Sequence, residues 1–351
     1  MNFSFSLPAR FTLMALVCSP VVLAQTPSNI EAAEYDPQGD RWFVSNGSSL
    51  LVTEDLGESW GFFGEAEASH GMEVMNGVLY AIGQNVIRAY DLDDAALLGS
   101  LAIPNVGFLN GMGNNGAGML VVSDFSGGRL YSVNAADPAA MTHMQLTGNL
   151  GVTPNGVVID EGNNRAIVVC WGNDADILAI DLESGEVSTL VDGTGLGNLD
   201  GIDRDGIGQY YISSWSPTRV VRYNSDFTEA EIVLTAADGL SSPADISYDE
   251  GADILGVANS GSNEVTFHSF GDPINSVEEP WEWSAVHQGD RLVLNLPTGR
   301  MVEWAAYDPA GRVVQSREEW LPAGQVNMAW PMASPGGVVV IQSGTAVLRL
   351  R

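Results

Sequence analysis

Residues 200–214 read DGIDRDGIGQYYISS: an acidic residue, a glycine, a short apolar run, a polar turn and a second apolar run. Five further segments share this phase, and they begin at Glu31, His70, Asn110, Asn155 and Asp245. With Asp200 included, the successive spacings are 39, 40, 45, 45 and 45 residues. A period of about 40 to 45 residues with four short strands is typical of a propeller blade. The sequence therefore predicts an all-β protein with a six-bladed β-propeller over residues 25–272. An array of unrelated hairpins in sandwiches is the alternative, which six phased repeats disfavour.

The composition fits such a fold and limits the partners. The chain has 351 residues, 40 glycines and 16 prolines, and 45% of its residues are hydrophobic. Many short apolar runs separated by Gly and Pro indicate strands and turns rather than long helices. The net charge is −30, and every basic residue is an arginine. Such a surface repels nucleic acid and anionic membranes and attracts divalent cations, although it also suits a soluble protein in a salty medium.

The first 24 residues are typical of a secretory signal peptide. Arg10 precedes an apolar run over residues 11–17, and Val22 and Ala24 are the small residues that a signal peptidase accepts. The run is too short for a membrane span, so we expect an exported monomer without one. Cys18 leaves a lipoprotein open, although bulky Val17 precedes it. Removal of the signal would leave one cysteine, Cys170, which we predict to be a buried and inert thiol.

The six repeat-opening residues, which we call the register residues, form the candidate site. The first strand of each propeller blade lines the central channel, so Glu31, His70, Asn110, Asn155, Asp200 and Asp245 should ring one mouth. The second strand returns to the same face, which predicts an outer rim of Asn46, Gln84, Asp124, Trp171, Trp215 and Asn259. Trp171 and Trp215 would form aromatic walls around a polar floor, or alternatively pack between blades.

Carboxylates that converge without cationic partners need either a proton or a bound cation. Glu31, Asn155 and Asp200 would supply the oxygen ligands that Ca²⁺, or another divalent cation, prefers. We expect His70 to hydrogen-bond a neighbour or a substrate. Zinc is disfavoured because no second histidine occupies a register position.

Three segments resemble motifs of the senescence marker protein/gluconolactonase family, the regucalcin-like six-bladed propellers. They are PNGV at 154–157, LDGID at 199–203 and, more loosely, IEAAEYD at 30–36. The resemblance implies that Glu31, Asn155 and Asp200 hold the metal and that Asp200 is also the general base. A further family asparagine matches Asn110. The activity implied is metal-assisted hydrolysis of a lactone.

Two positions depart from the family pattern. The sugar-lactone enzymes have an arginine and an aspartate where this chain has Phe108 and Gly111. We therefore expect a more apolar lactone or ester, bound by Asn110, Phe108, Trp171, Trp215, Asp245 and Asp124. The cation would polarise the carbonyl, and Asp200 or His70 would activate water. The alternative is a non-catalytic exported propeller that binds a small molecule, glycan or peptide.

The C-terminal region differs in composition. Residues 273–284 are a predicted linker, and residues 285–351 are predicted to form a small Ig-like β-sandwich. YDPAGRVV at 307–314, LPAG at 321–324 and SPGGVVV at 334–340 resemble the type A C-terminal sorting domain of the bacterial type IX secretion system. The resemblance implies export through the periplasm and outer membrane to the cell surface or medium, with that secretion machinery as a partner. An ordinary accessory Ig-like domain is the alternative.

Overall fold

A computed structural model describes residues 25–270 and the strands, though not the intervening loops, of residues 284–350. The chain divides into two compact units, Met1–Gly271 and Asp272–Arg351. The predicted signal peptide and all of the predicted linker except Ser284 lie outside the described residues. No helix in the described part is long and apolar enough to cross a membrane.

The first unit is a six-bladed β-propeller, as the repeat predicts. Each blade is an antiparallel sheet whose strands are adjacent in the order of the chain, and the sixth blade has three strands among the described residues. Three short 3₁₀ turns, Pro138–Ala140, Glu161–Asn163 and Ala236–Asp238, join strands. In chain order, with four strands per blade up to the last, the strands are β1 (Ala33–Asp36), β2 (Arg41–Asn46), β3 (Ser49–Thr53), β4 (Gly61–Phe62), β5 (Met72–Met75), β6 (Val78–Gly83), β7 (Val86–Asp91), β8 (Leu97–Ala102), β9 (Leu109–Asn114), β10 (Met119–Asp124), β11 (Arg129–Asn134), β12 (Thr142–Gln145), β13 (Thr153–Asp160), β14 (Arg165–Trp171), β15 (Ile177–Asp181), β16 (Val187–Val191), β17 (Gly197–Arg204), β18 (Tyr210–Ser216), β19 (Thr218–Tyr223), β20 (Ala230–Thr235), β21 (Pro243–Asp249), β22 (Ile254–Asn259) and β23 (Glu264–Ser269).

The hydrophobic core lies between neighbouring blades. Leu130 of blade three, Ile167 of blade four and Ile212 of blade five belong to one buried cluster. Other clusters join blades one and two, two and three, and five and six. The β2, β6, β10, β14, β18 and β22 strands are apolar on both faces because each is covered on both sides by an adjacent blade.

The glycine after most register residues has a packing reason. Four blades carry a glycine at this position, Gly111, Gly156 and Gly201 within the inner strand and Gly71 directly before it. A Cβ on Gly71 would lie 2.6 Å from the Asn110 carbonyl oxygen, and one on Gly201 would lie 2.7 Å from the Asp245 Cα. A side chain at any of these four positions would therefore collide with the neighbouring inner strand. The glycines after His70, Asn110, Asn155 and Asp200 allow this close approach, whereas blade one has Ala32 after its register residue.

The ring closes through contacts between blades six and one. The Asp245 N–H donates to the Glu31 carbonyl oxygen at 2.9 Å. The Ser260 hydroxyl lies 2.7 Å from the Ile30 carbonyl oxygen, and the Trp42 and Phe267 rings meet edge to face at 5.1 Å. Residues 25–30 form no strand, so within the described residues no N-terminal strand completes the sixth blade. Side-chain packing and these hydrogen bonds hold the ring shut.

The second unit contains two antiparallel sheets in its described part. Three strands form one sheet in the order β24-β25-β28, and four form the other in the order β27-β26-β29-β30. Leu294, Val302 and Trp304 are among the buried side chains of this unit. The Ig-like sandwich remains a prediction. The strands are β24 (Ser284–Gln288), β25 (Arg291–Leu296), β26 (Arg300–Tyr307), β27 (Val313–Leu321), β28 (Gly324–Ala329), β29 (Val338–Ser343) and β30 (Ala346–Leu350).

Candidate functional site

Bulges in the inner strands position the central carboxyl groups. In β13, residues 155 and 156 oppose one residue of β14, and in β17, residues 200 and 201 oppose one residue of β18. An extra residue of this kind breaks the alternation of the strand and redirects a side chain. Asn155 and Asp200 are thereby brought together in adjacent blades. Asn155 Nδ2 donates to Asp200 Oδ1 at 3.0 Å and to the Leu199 carbonyl oxygen at 3.1 Å.

Asp245 lies one residue away from its predicted position. The bulge in β21 contains residues 244 and 245, so Ala244 is the equivalent of Asp200, and Asp245 is the equivalent of Gly201. Contacts between the inner strands of adjacent blades support this alignment. Gly156 packs on the carbonyl oxygen of Asp200, and Gly201 packs in the same way on the carbonyl oxygen of Ala244. The equal 45-residue spacing was therefore wrong by one residue in the sixth blade. Asp245 still interacts electrostatically with Glu31 and Asp200.

Asp200 carries the least satisfied polar atom of the site. Its side chain is buried, and Oδ2 has no hydrogen-bond partner. Burial and then repulsion by Glu31 and Asp245 raise its pKa well above 3.8, against the lowering influence of Trp215 and Asn155. The Trp215 indole N–H is close enough to lower this pKa but makes no hydrogen bond of good geometry, so Nε1 is unpartnered too. A buried donor and a buried acceptor thus lie side by side without partners.

Three acidic side chains, those of Glu31, Asp200 and Asp245, form a group that we call the floor. Glu31 Oε2 accepts the Ser260 hydroxyl at 3.0 Å, and burial raises its pKa. Burial, followed by the Glu31 and Asp203 charges, raises the pKa of Asp245 to about 8. The groups that lower these pKa values are hydroxyl, amide, indole and backbone donors. Asp245 therefore retains its proton at neutral pH unless another cation replaces it, and the raised pKa values of Glu31 and Asp200 favour the same exchange.

A second tier of acids lies in the channel, and the sequence reasoning missed it. Glu34, Glu73 and Asp203 each follow a register residue by three positions, a spacing that could have revealed them. Glu34 Oε1 accepts a hydrogen bond from the Val74 backbone N–H at 2.8 Å. Glu73 Oε2 accepts one from the side-chain Nδ2 of Asn114 at 2.6 Å. Burial is the main cause that raises the pKa of all three, to about 7 for Asp203.

His70 belongs to the wall of the mouth. Its Nδ1 lies 2.8 Å from the Ser69 hydroxyl, and its ring meets Phe108 edge to face at 4.6 Å. Burial lowers its pKa to about 4, so it is neutral at neutral pH. Blade two lies across the ring from blade five, so the structure does not bring His70 beside Asp200 as the water-activation hypothesis required.

Five aromatic residues form a continuous arc over blades two to five, which we call the aromatic belt. Consecutive rings are in edge-to-face contact at centroid distances of 4.6, 5.8, 5.8 and 5.1 Å. All five side chains are partly exposed. Trp171 of blade four and Trp215 of blade five contact each other across the blade boundary, as the packing alternative predicts, and their role as walls of a binding site stays a prediction. Phe125 was not predicted. The members are His70, Phe108, Phe125, Trp171 and Trp215.

Asp124 does not have the free side chain expected of a substrate contact, and Asn110 is almost fully buried. Asp124 is fully buried, and its Oδ1 accepts the N–H groups of Gly107, Phe108 and Gly127 at 2.9, 3.0 and 2.9 Å. The carboxylate therefore fixes the loops that carry Phe108 and Phe125. Asn110 is 7% exposed, and its backbone carbonyl oxygen, which is separate from the side chain, accepts the Gly71 N–H.

The floor has the chemistry of a cation site without a preformed metal cluster. In the described part of the chain, no three His, Cys, Asp or Glu side chains are arranged to hold a metal. Asn155 presents Nδ2 to Asp200, whereas its Oδ1 is the atom that a cation would need. The unpartnered Asp200 Oδ2 and the oxygen-rich donor set nevertheless fit a hard cation.

Comparisons with known proteins support the fold alone. No family model matches the chain, and no curated protein matches its sequence. Regucalcin from Agrobacterium tumefaciens, described as a calcium-binding protein, is similar with a TM-score of 0.53 and 14% identity over 67% of this chain and 83% of its own. A nidogen/laminin complex is similar with a TM-score of 0.50 and 13% identity over 65% of this chain and 92% of its own. Kuenenia stuttgartiensis hydrazine synthase is similar with a TM-score of 0.50 and 15% identity over 69% of this chain and 84% of its own. Such different proteins share the propeller, so the function has to be argued from the site.

Proposed function

We propose that the protein is a metal-dependent hydrolase of a lactone or related ester whose pocket differs from that of sugar lactonases. The observation that carries the proposal is the buried, unpartnered Oδ2 of Asp200, a carboxyl group with a raised pKa at an aromatic mouth. A buried carboxyl group whose pKa is raised is suited to general acid–base work.

The residues divide the work as follows. Glu31, Asn155 and Asp200 would hold Ca²⁺ or another divalent cation, which when bound polarises the substrate carbonyl. Asp200 takes a proton from the attacking water. The indole N–H of Trp215, beside Asp200 and without a partner, would donate to a substrate oxygen. The remaining belt rings exclude water from this corner.

The substrate is less polar than a sugar lactone. Phe108 occupies a position where the sugar lactonases have an arginine, and its ring packs between His70 and Phe125. A hydrophobic acyl or alkyl portion fits against these rings better than a polyol. We also propose export with help from the type IX secretion machinery, because residues 1–24 are typical of a signal peptide and residues 285–351 resemble a sorting domain of that system.

A calcium titration combined with a substrate panel tests this proposal. We would measure thermal unfolding with calcium and with chelator for wild type, Asp200→Asn and, as a matched control, Asp93→Asn, which changes an exposed aspartate. Calcium should raise the Tm of wild type and of the control but not of Asp200→Asn. Hydrolysis of γ- and δ-lactones and aryl esters should stop with chelator. No calcium effect and no hydrolysis would refute the proposal.

A non-catalytic binding propeller is the second candidate. It is favoured because the Asn155–Asp200 hydrogen bond already satisfies part of the donor set and no three His, Cys, Asp or Glu side chains are arranged to hold a metal in the described residues. Its ligand would be a small molecule, glycan or peptide on the same mouth.

A further inference from the structure

The floor is a buried acidic group that the cations of the propeller leave unpaired. Six ion pairs occur among the described residues, and all of them use carboxylates outside Glu31, Asp200 and Asp245. The Oδ2 atom of Asp200 is buried and has no hydrogen-bond partner. A ligand that brings positive charge is therefore complementary to this end of the channel.

The aromatic belt is also free of protein cations. The cation–π contacts in the described residues are those of Arg41 over Phe43 and Phe63, at 5.1 and 5.3 Å, inside blades one and two. No such contact involves a belt ring in the part of the chain that the structure describes. The belt meets the floor at Trp215, whose indole affects Asp200 directly.

Aromatic faces and carboxylates together select one kind of cation. A metal ion needs oxygen ligands to replace its hydration shell, and rings cannot supply them. An alkylammonium group is larger and carries its charge on apolar methyl or methylene surface, so it gains from ring faces and carboxylates together. An aromatic wall beside an unpaired acidic floor therefore matches an organic cation better than it matches a neutral or anionic ligand.

We propose that the mouth binds an organic ammonium group, with the cationic centre between the belt rings Phe125, Trp171 and Trp215 and the floor carboxylates. The inference deepens the proposed function and rests on it in one respect: if the protein is a hydrolase, its substrate is a lactone or ester with an ammonium group, which would lie against Asp245, the floor carboxyl group that the proposed metal ligands leave free. Binding of the cation does not itself require catalysis.

Two probes of equal shape test the proposal. Choline and 3,3-dimethylbutan-1-ol differ at the central atom, which is a quaternary nitrogen in one and a neutral carbon in the other. Calorimetric titration of the full chain should show choline binding at least tenfold more tightly. Because each ring contributes roughly 2- to 30-fold to such binding, Trp171→Leu should weaken choline by that factor. Trp320→Leu, which removes an exposed indole of the second unit, should leave it unchanged.

Several results would overturn the inference. Equal affinity for the two probes, or no choline binding at millimolar concentration, excludes recognition of the charge. If Trp171→Leu does not fold, Phe125→Leu takes its place, and unaltered choline affinity in a folded variant refutes the belt as the site. Failure of this inference and failure of the proposed function give different results. Choline binding without any hydrolysis retains this inference and removes the hydrolase, whereas hydrolysis without choline binding does the reverse.

Discussion

Replacement of Asp203 by asparagine should change the stability of the propeller in opposite directions at low and high pH. Burial is the main cause that raises the Asp203 pKa from 3.8 to about 7. The folded protein therefore holds a proton between these values that the unfolded chain releases. The group's contribution to stability is complete below pH 3.8 and is lost as the pH rises through 7.

The magnitude follows from the shift and from two hydrogen bonds. A shift of 7 − 3.8, or 3.2 pKa units, corresponds to about 4 kcal/mol of stability lost by pH 8. Asparagine removes this loss. However, the Asp203 oxygens accept the Arg204 and Tyr248 N–H groups at 2.8 and 2.6 Å, and an amide can accept only one of these hydrogen bonds well. The lost bond costs about 1–3 kcal/mol at every pH. Asp203→Asn should thus destabilise at pH 4 and stabilise by about 1–3 kcal/mol at pH 8, or roughly 2 to 10 °C.

Differential scanning fluorimetry from pH 4 to 8.5, with chelator present throughout, measures this crossover. The exposed Asp93→Asn variant is the control and should show no crossover. A shift of one sign across the whole range for Asp203→Asn would refute the reasoning. It would mean that Asp203 does not hold a proton in the folded channel.

Three further results are expected. Gly111→Ala should destabilise the propeller by more than about 3 kcal/mol in urea unfolding, because its Cβ would overlap the Asn155 carbonyl oxygen. The control Gly148→Ala, whose Cβ would enter open space, should change the stability little. Equal effects of the two variants would contradict the ring-packing argument. Asp124→Ala should cost about 2–4 kcal/mol, since three backbone N–H groups lose their acceptor, and should broaden the NMR signals of the belt aromatics; unchanged stability would count against the anchoring role. Cys170, whose thiol pKa burial raises to about 12, should resist alkylation at pH 8 until the protein unfolds, as judged by mass spectrometry of its peptide; rapid labelling of the native protein would contradict its burial.

The repeat determined the fold because each blade is a local unit. The spacing of the segments that begin at Asn155 and Asp200 equals the length of a blade. The glycine after each of these two residues indicates that the inner strands of adjacent blades lie close together. Neither feature depends on knowing which blade lies next to which. The same locality made the contact between Asn155 and Asp200 predictable, because the two residues occupy the same position in adjacent blades.

What only the tertiary structure decided depends on backbone irregularity and on distances across the ring. The β21 bulge moved Asp245 by one position, since bulges obey no sequence period. The second-tier acid Asp203 and the belt residue Phe125 emerged because burial and neighbouring rings, rather than residue type, define their roles. Whether His70 could reach Asp200 was likewise a question of blade geometry. A sequence lists the charges and rings of such a channel, but their spacing in three dimensions decides which of them share a proton, a contact or a ligand.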